Sequence, residues 1–147
     1  MNKKPKDSIK LMHCKKREQD LLMGTLNEDY IKDIICSHFK IQYLNKTTFF
    51  HPMDFYCDDN YFEIKSRRIT HDKYDTTMVG YDKIEWIRDN YFKIDAVYFV
   101  FVFTDGDYYY EYNPEDKFET TIGGRWDRGK VEKKLYYYIP TNKLIKF

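Results

Sequence analysis

The sequence has few cysteines and no long apolar run. Its cysteines, Cys14, Cys36 and Cys57, are odd in number and show neither CxxC spacing nor a histidine pair at zinc-ligand separation. Neither a disulfide framework nor a structural zinc site is therefore expected. No apolar segment approaches the roughly 18–20 residues that cross a bilayer, and the N-terminus lacks the apolar centre of a signal peptide. We expect an intracellular protein, cytoplasmic or nuclear, that is not secreted and has no membrane partner.

Net charge is also almost absent. The 25 Lys and Arg residues balance 24 Asp and Glu residues, which leaves a formal charge of +1. Any contact with a nucleic acid must then come from a local basic surface rather than from the field of the whole protein. Aromatic residues are abundant, at 19% of the 147 positions, which argues against disorder. The length predicts a single domain over residues 1–147, with residues 1–10 flexible.

The stretch from 49 to 68 is typical of one β-hairpin. Two runs rich in aromatic and β-branched residues flank a polar cluster at residues 58–60, the usual signal for two antiparallel strands and a short turn. With Asp58 and Asp59 as the loop, Asp54 stands opposite Glu63. Because side chains alternate along a strand, the hairpin has an apolar face and a polar face. The apolar face carries Met53, Phe55, Cys57, Phe62 and Ile64. The polar face carries Asp54, Tyr56, Tyr61, Glu63 and Lys65. A three-residue loop would instead place Asp54 opposite Ile64.

Two carboxylates directly opposite each other on neighbouring strands destabilise a sheet. Lys65 would compensate for part of this repulsion, and a divalent cation bridging Asp54 and Glu63 would compensate for more. Such a group suits phosphodiester hydrolysis, which needs a cation to polarise the phosphate and positive charge near the transition state. A solvated charged face on an ordinary hairpin is the alternative interpretation.

The string Pro52-Met53-Asp54, followed nine positions later by Glu63-Ile64-Lys65, resembles the signature of the PD-(D/E)XK nuclease superfamily. Met53, between the proline and the first acid, departs from that signature. The resemblance implies a restriction-endonuclease-like core and a DNA-cleaving enzyme that uses Mg²⁺ or Mn²⁺. Asp54, Glu63 and the backbone carbonyl of Ile64 would hold the metal, and Lys65 would orient or help to deprotonate the attacking water.

Two helices are predicted before the hairpin, over residues 15–23 and 26–39, separated by Gly24. The second has an amphipathic stripe that includes Ile31 and Ile35. Glu28 has two interpretations. The segment 25–28 matches a capping box, in which the glutamate satisfies free backbone donors. Many PD-(D/E)XK nucleases also carry a further glutamate on this helix, which would make Glu28 a catalytic acid and metal ligand. Glu18 is the weaker candidate for that role.

A third helix is predicted over residues 76–91, where apolar residues recur at helical spacing. The segment from Tyr74 to Lys83 resembles phage and large-virus members of the superfamily, whose corresponding helix presents a lysine to the active site. Lys83 holds that position here. An exposed helix lysine is the alternative.

Two basic segments are candidates for nucleic-acid binding. Ser66, Arg67 and Arg68 follow the second hairpin strand, where they would contact phosphates or form surface salt bridges. The segment 122–130 predicts a flexible basic loop that carries Arg125, Arg128 and Lys130 around an aromatic centre. A plain surface loop is the alternative for this segment.

The remaining pattern is that of a sheet. Residues 95–104 form a nearly uninterrupted apolar run, typical of a strand covered on both faces. Asp105 and Gly106 predict a hairpin turn, and residues 135–139 a final strand. The fold class is therefore α/β, a mixed central sheet of about four to five strands flanked by helices.

The function that follows is a metal-dependent nuclease acting on DNA. A nucleic-acid-binding or interaction module without catalysis, or an unrelated small α/β protein, is the alternative. An enzyme of this size that makes double-strand breaks would need two active sites, hence a homodimer.

Overall fold

The computed structural model describes residues 16–125 and 132–147, with side chains from 28 to 123 and from 134 onward. Within these ranges the chain forms two α-helices and nine strands in two sheets, with single 3₁₀ turns at Tyr91–Lys93 and Thr141–Lys143. The helices are α1 (Lys16–Phe39) and α2 (Tyr81–Asn90). The strands are β1 (Asn45–Lys46), β2 (Phe55–Cys57), β3 (Asn60–Ser66), β4 (Thr76–Gly80), β5 (Ala96–Phe103), β6 (Gly106–Glu111), β7 (Thr120–Arg125), β8 (Glu132–Pro140) and β9 (Ile145–Lys146).

The larger sheet is mixed and has the order β1-β2-β3-β5-β6-β9. Strands β3 and β5 are parallel, and the chain passes between them through β4 and α2. A parallel pair needs such a crossover because no short turn can join its strands. The smaller sheet is antiparallel, with the order β4-β8-β7. The α/β class is as expected, but the described residues form six strands in the main sheet rather than four to five, and a second sheet was not expected.

Strand β5 carries the core on both of its faces. Val97, Phe99, Phe101 and Phe103 pack with α2 and the smaller sheet, whereas Val100 packs on the opposite face with Ile31 and Ile35 of α1. This confirms the prediction of a central strand covered on both sides, which its continuous apolar run required. The layers are therefore α1, the larger sheet, and then α2 with the smaller sheet.

Helix α1 differs from the prediction of two helices because it runs without a break through Gly24. A glycine inside a helix costs about 1 kcal/mol relative to alanine. Restarting a helix would require a second costly nucleation, so one long helix is favoured. The stripe that includes Ile31 and Ile35 is buried as expected. Glu28 lies inside α1, so its interpretation as a capping residue is wrong.

The predicted helix over residues 76–91 is only partly correct. Residues 76–80 form β4, whose burial alternates: Thr77 and Val79 are buried, while Thr76 and Met78 are exposed. Period-two burial and β-branched side chains suit a strand, and β4 pairs with β8 far along the chain. Helix α2 begins only at Tyr81.

Two further segments differ locally from the prediction. The loop of the β5–β6 hairpin consists of Thr104 and Asp105, since Phe103 pairs with Gly106. Gly106 has φ +154°, which an L side chain rarely adopts. The predicted basic loop over 122–130 is not a loop at its start, because β7 extends to Arg125. No helix of the described residues has both the length and the apolar character needed to traverse a bilayer.

Candidate active site

The β2–β3 hairpin has the expected register. Cys57 pairs with Asn60, Tyr56 with Tyr61 and Phe55 with Phe62, so Asp58 and Asp59 form a two-residue loop. Asp58 takes φ +52°, a left-handed conformation that aspartate tolerates better than most side chains. The alternative three-residue loop is excluded by this pairing.

Asp54 lies just beyond the paired part of the hairpin, because β2 begins at Phe55. The Asp54 N–H donates to the carbonyl of Phe62 at 3.0 Å. The Asp54 Oδ2 atom accepts a hydrogen bond from the N–H of Ile64 at 2.8 Å. The carboxylate thus satisfies a backbone donor that a continuing ladder would have paired. This contact fixes the Asp54 side chain against β3.

The bend before β2 changes one predicted face. Phe55, Cys57, Phe62 and Ile64 pack on the α1 side of the sheet, but Met53 packs on the α2 side with Val79 and Ile84. Alternation fails at Met53 because this residue precedes the strand. The two acids nonetheless lie close together, because Asp54 Oδ2 accepts a hydrogen bond from the N–H of Ile64, the residue after Glu63, and Asp54 raises the pKa of Glu63.

Glu63 is the buried centre of the group. It lies on β3 between β2 and β5 and is only 2% exposed. The Lys83 Nζ atom, on the first turn of α2, lies 2.9 Å from Glu63 Oε2, and the Lys65 Nζ atom lies 3.6 Å from the same oxygen. Lys83 also donates to the carbonyl of Pro52 at 2.5 Å. The crossover therefore brings α2 and its lysine onto the hairpin acids.

The electrostatics of Glu63 are dominated by burial. Loss of hydration and the hydrogen bond with Asp54 raise the pKa of Glu63 to about 8, although Lys65 and Lys83 act in the opposite direction. A buried carboxyl group beside another acid is harder to ionise than one in water. Without a further cation, Glu63 is therefore expected to hold a proton at neutral pH.

Glu28 approaches the same acids from α1. Its side chain is half-buried, and its pKa is raised first by burial and then by the nearby charge of Asp54, while Lys46 lowers it. Glu28, on α1, is thus near enough to Asp54 for the charge of that carboxylate to act on it.

These residues suit a divalent cation. Glu63 Oε2 is buried and accepts no hydrogen bond of good geometry from the described residues, although it has the two ion-pair contacts with lysine. A buried acceptor of this kind normally has a partner. Carboxylates are the ligands that Mg²⁺ and Mn²⁺ prefer. The donor chemistry of Asp54 and Glu63 therefore fits such an ion.

The predicted nucleic-acid-binding residues at and just beyond the end of β3 differ in their exposure. Ser66 and Arg68 are exposed, whereas Arg67 is half-buried. The Arg67 guanidinium donates to the carbonyl of Met78 at 2.7 Å, so it joins the end of β3 to β4. Of the second basic segment, Arg125 ends β7, and Arg128 and Lys130 lie outside the described residues.

A second group of possible metal ligands was not found by the sequence analysis. His71, Asp72 and Asp105 bring ligand atoms within 4.8 Å of one another. His71 Nδ1 lies 2.6 Å from Asp105 Oδ2, and hydrogen bonds from His71 lower the pKa of Asp105. Asp105 is 34 positions from His71, so no local spacing marks the group. Because its acids are already paired with His71 and accessible to water, this group is less suited to a metal than the buried Glu63.

The comparisons with known proteins agree with this geometry. A family model described as "Phage putative PDDEXK endonuclease" matches residues 24–145. This range contains both acids of the hairpin, Lys65, Glu28 and Lys83. No match was found among curated proteins or among solved structures. The match covers most of the chain, and the chain therefore belongs to the phage PDDEXK endonuclease family of the PD-(D/E)XK superfamily.

Proposed function

We propose that the protein is a divalent-metal-dependent endonuclease that hydrolyses phosphodiester bonds in DNA. The observation that carries the proposal is that Asp54 lies beside Glu63, whose carboxylate is almost fully buried with two lysines next to it. An apolar side chain at position 63 would be easier to bury than a carboxylate. The cost of burying this acid is understandable where a cation is bound for catalysis.

Asp54, Glu63 and the backbone carbonyl of Ile64 are the proposed ligands of Mg²⁺ or Mn²⁺. Such an ion, when bound, polarises the phosphate and lowers the pKa of water. Asp54 enters the site already oriented, because the Ile64 N–H holds its Oδ2 atom. Glu63 contributes the buried oxygen Oε2. Glu28 is the proposed third acid, as a further ligand at the α1 side of the site.

The two lysines have different surroundings, which suggests different roles. The Lys65 side chain is 31% exposed, so its ammonium can meet the water and the phosphate that enter from solvent. The Lys83 side chain is 18% exposed and is held by Pro52 and Glu63. We assign Lys65 to orienting the attacking water and helping to take its proton. Lys83 supplies a fixed positive charge for the developing charge on the phosphate.

DNA is the proposed substrate, and exposed basic residues supply contacts outside the reacting group. Ser66 ends β3 one position beyond Lys65, and Arg68 follows three positions beyond Lys65. Phosphate contacts of this kind position a duplex without reading its sequence. Arg125, Arg128 and Lys130 are proposed as a second contact segment, and Arg67 as a residue that supports the first.

The test combines metal binding with cleavage. Mn²⁺ binding is measured by calorimetry, and cleavage of supercoiled plasmid is measured with and without Mg²⁺ or Mn²⁺. Asp54→Ala should lose both. Lys65→Ala should keep Mn²⁺ binding but cleave at least about 100-fold more slowly, since it removes a group needed only for the reaction. Asp59→Ala, which removes an exposed acid from the hairpin loop, is the matched control and should behave as the wild type.

Metal-dependent cleavage that survives in both Asp54→Ala and Lys65→Ala would refute the proposal. If the wild type binds DNA in a salt-sensitive way but neither binds Mn²⁺ nor cleaves DNA, the alternative of a non-catalytic nucleic-acid-binding module is favoured.

A further inference from the structure

The loop from Thr47 to Asp54 exposes two adjacent phenylalanines beside the candidate active site. Phe49 is 94% exposed and Phe50 is 92% exposed. Their rings contact each other edge to face, with centroids 5.0 Å apart. Single exposed apolar residues are common on protein surfaces. Here two neighbouring phenylalanines are both almost fully exposed to water, so the outer end of this loop is unusually apolar.

The ends of this loop are fixed. The N–H of Thr47 donates to the carbonyl of Asp54 at 3.0 Å, and the Thr47 hydroxyl contacts the carbonyls of Met53 and Asp54 at 2.5 and 2.9 Å. His51 closes a turn through its N–H, which donates to Thr48. The loop is therefore closed on the backbone of the candidate catalytic aspartate.

The inner side of the loop is also packed. The His51 ring lies parallel to the ring of Tyr61 and meets Trp86 edge to face. The Nδ1 atom of His51 accepts a hydrogen bond from the N–H of Met53, whose side chain is buried. Packing on one side and full exposure on the other direct the two phenylalanine rings away from the protein.

The length of the loop limits how far the two rings can lie from the candidate active site. Phe50 is four residues from Asp54, and Phe49 is two residues from Thr47, which is hydrogen-bonded to Asp54. At no more than about 3.6 Å per residue, both Cα atoms lie within about 14 Å of this closed base of the loop. One base pair occupies about 3.4 Å along a duplex. The rings can therefore reach bases within about four or five nucleotides of a phosphate bound at the acids.

The size of the exposed surface favours nucleobases over a protein partner. Two phenylalanine side chains offer at most about 500 Å², whereas a stable protein interface buries about 800 Å² on each side. Each ring is instead matched to one base, and bases stack on aromatic side chains whatever their sequence. Lys46, exposed at the start of the loop, adds a cation that suits a phosphate.

We propose that Phe49 and Phe50 stack on or between bases of the DNA substrate next to the cleaved phosphate. This inference rests on the proposed nuclease function and specifies its substrate. Bases in a continuous duplex must be unstacked before a side chain can enter, which costs energy, whereas unpaired bases are already free. The enzyme should therefore prefer DNA that is single-stranded, gapped or mismatched near the cleavage point.

The experiment measures binding to oligonucleotides in EDTA, so that binding is separated from cleavage. Fluorescence anisotropy gives the affinity for a fully paired duplex and for the same duplex with a short single-stranded gap. The full-length double variant Phe49→Ala/Phe50→Ala should bind the gapped DNA about 10-fold to 100-fold more weakly, and the paired duplex within about threefold of the wild type. The matched control is Phe92→Ala, which removes another exposed phenylalanine and should change neither affinity.

A second readout follows the stacking itself. A 2-aminopurine base in the gap should be quenched by the wild type and by Phe92→Ala, but not by the double variant. Calorimetry with Mn²⁺ should give the same metal affinity for the double variant and the wild type, which shows that the site at the loop's base is intact.

Equal binding of the gapped DNA by the wild type and the double variant would overturn the inference. It would also be overturned if the double variant changed only the oligomeric state, or only the binding to anionic phospholipid vesicles, and left DNA affinity unchanged. If the rings support DNA binding but the wild type shows no metal-dependent cleavage, the stacking inference stands and the proposed nuclease function fails.

Discussion

Glu63→Gln tests whether burial or the two lysines control the charge of the central acid. Glutamine has nearly the same shape as glutamate but cannot ionise. The pKa of Glu63 rises from 4.5 to about 8 in the folded protein. Between these values the folded state holds a proton that the unfolded state has released. Because the folded state binds more protons, the free energy of unfolding falls as the pH rises.

The slope can be worked out from the linkage relation. One proton corresponds to about 1.4 kcal/mol for each pH unit, so this group lowers the stability of the metal-free wild type by about 3 kcal/mol between pH 5.5 and 7.5. The glutamine variant lacks this dependence. Its free energy of unfolding relative to that of the wild type should therefore increase by up to about 3 kcal/mol over the same range.

The assay is urea unfolding in EDTA at pH 5.5, 6.5 and 7.5. The difference between variant and wild type at each pH removes the contribution of the other titrating groups. Glu85→Gln, at an exposed position on α2, is the matched control and should show a difference that does not change with pH.

The opposite result has a clear meaning. If Lys83 at 2.9 Å and Lys65 at 3.6 Å outweighed burial, Glu63 would be ionised throughout this range. The variant would then lose two ion pairs and be less stable by a constant amount. A constant or decreasing difference would thus refute the argument that burial dominates. Excess Mn²⁺ should stabilise the wild type most at pH 7.5, where Glu63 ionises more easily, and should not stabilise the variant.

Three further predictions concern single positions. Lys83→Met should reduce metal-dependent cleavage about 10-fold to 100-fold. Its Mn²⁺ affinity, measured by calorimetry, should be equal to that of the wild type or higher, because the change removes a positive charge beside Glu63. Lys93→Met is the control, and weaker Mn²⁺ binding by Lys83→Met would contradict the proposed role. Gly24→Ala should stabilise the protein by about 0.5–1 kcal/mol in urea unfolding, because Gly24 lies within α1; destabilisation would indicate a break there. Gly123→Ala should destabilise by about 1–3 kcal/mol, since its Cβ would lie 2.7 Å from the Tyr136 ring. The further change Tyr136→Ala should recover part of that loss, and no recovery would exclude the clash as its cause.

The β2–β3 hairpin shows how much the sequence determines by itself. The polar pair Asp58 and Asp59 and the two-residue alternation predict the pairing of Phe55 with Phe62, because both signals act between neighbouring residues. The same local pattern predicts that Asp54 and Glu63 lie close together. Separately, the continuous apolar run over residues 95–104 predicts the central place of β5. The amphipathic stripe that includes Ile31 and Ile35 likewise predicts the buried face of α1.

Local patterns failed where distant contacts decide between two conformations. Thr76 to Gly80 carry helical spacing and β-branched residues at once, and pairing with β8, about 60 positions later, selects the strand. Gly24 is a common helix terminator, but α1 continues through it. The start of the predicted basic loop became β7 for the same reason, through pairing with β8.

The arrangement of charges at the site belongs to the tertiary structure alone. The resemblance to the nuclease superfamily suggests Lys83, but only the crossover from β3 through β4 to α2 places its ammonium 2.9 Å from Glu63. Glu63 loses its water only because β3 lies between β2 and β5 and α2 brings Lys83 against the same side chain, and this burial raises its pKa. The sequence by itself determines which groups are present and which neighbours they meet along the chain. Their burial and their charge depend on elements that come together from distant positions, since hydration is lost only when several layers pack around the same atom.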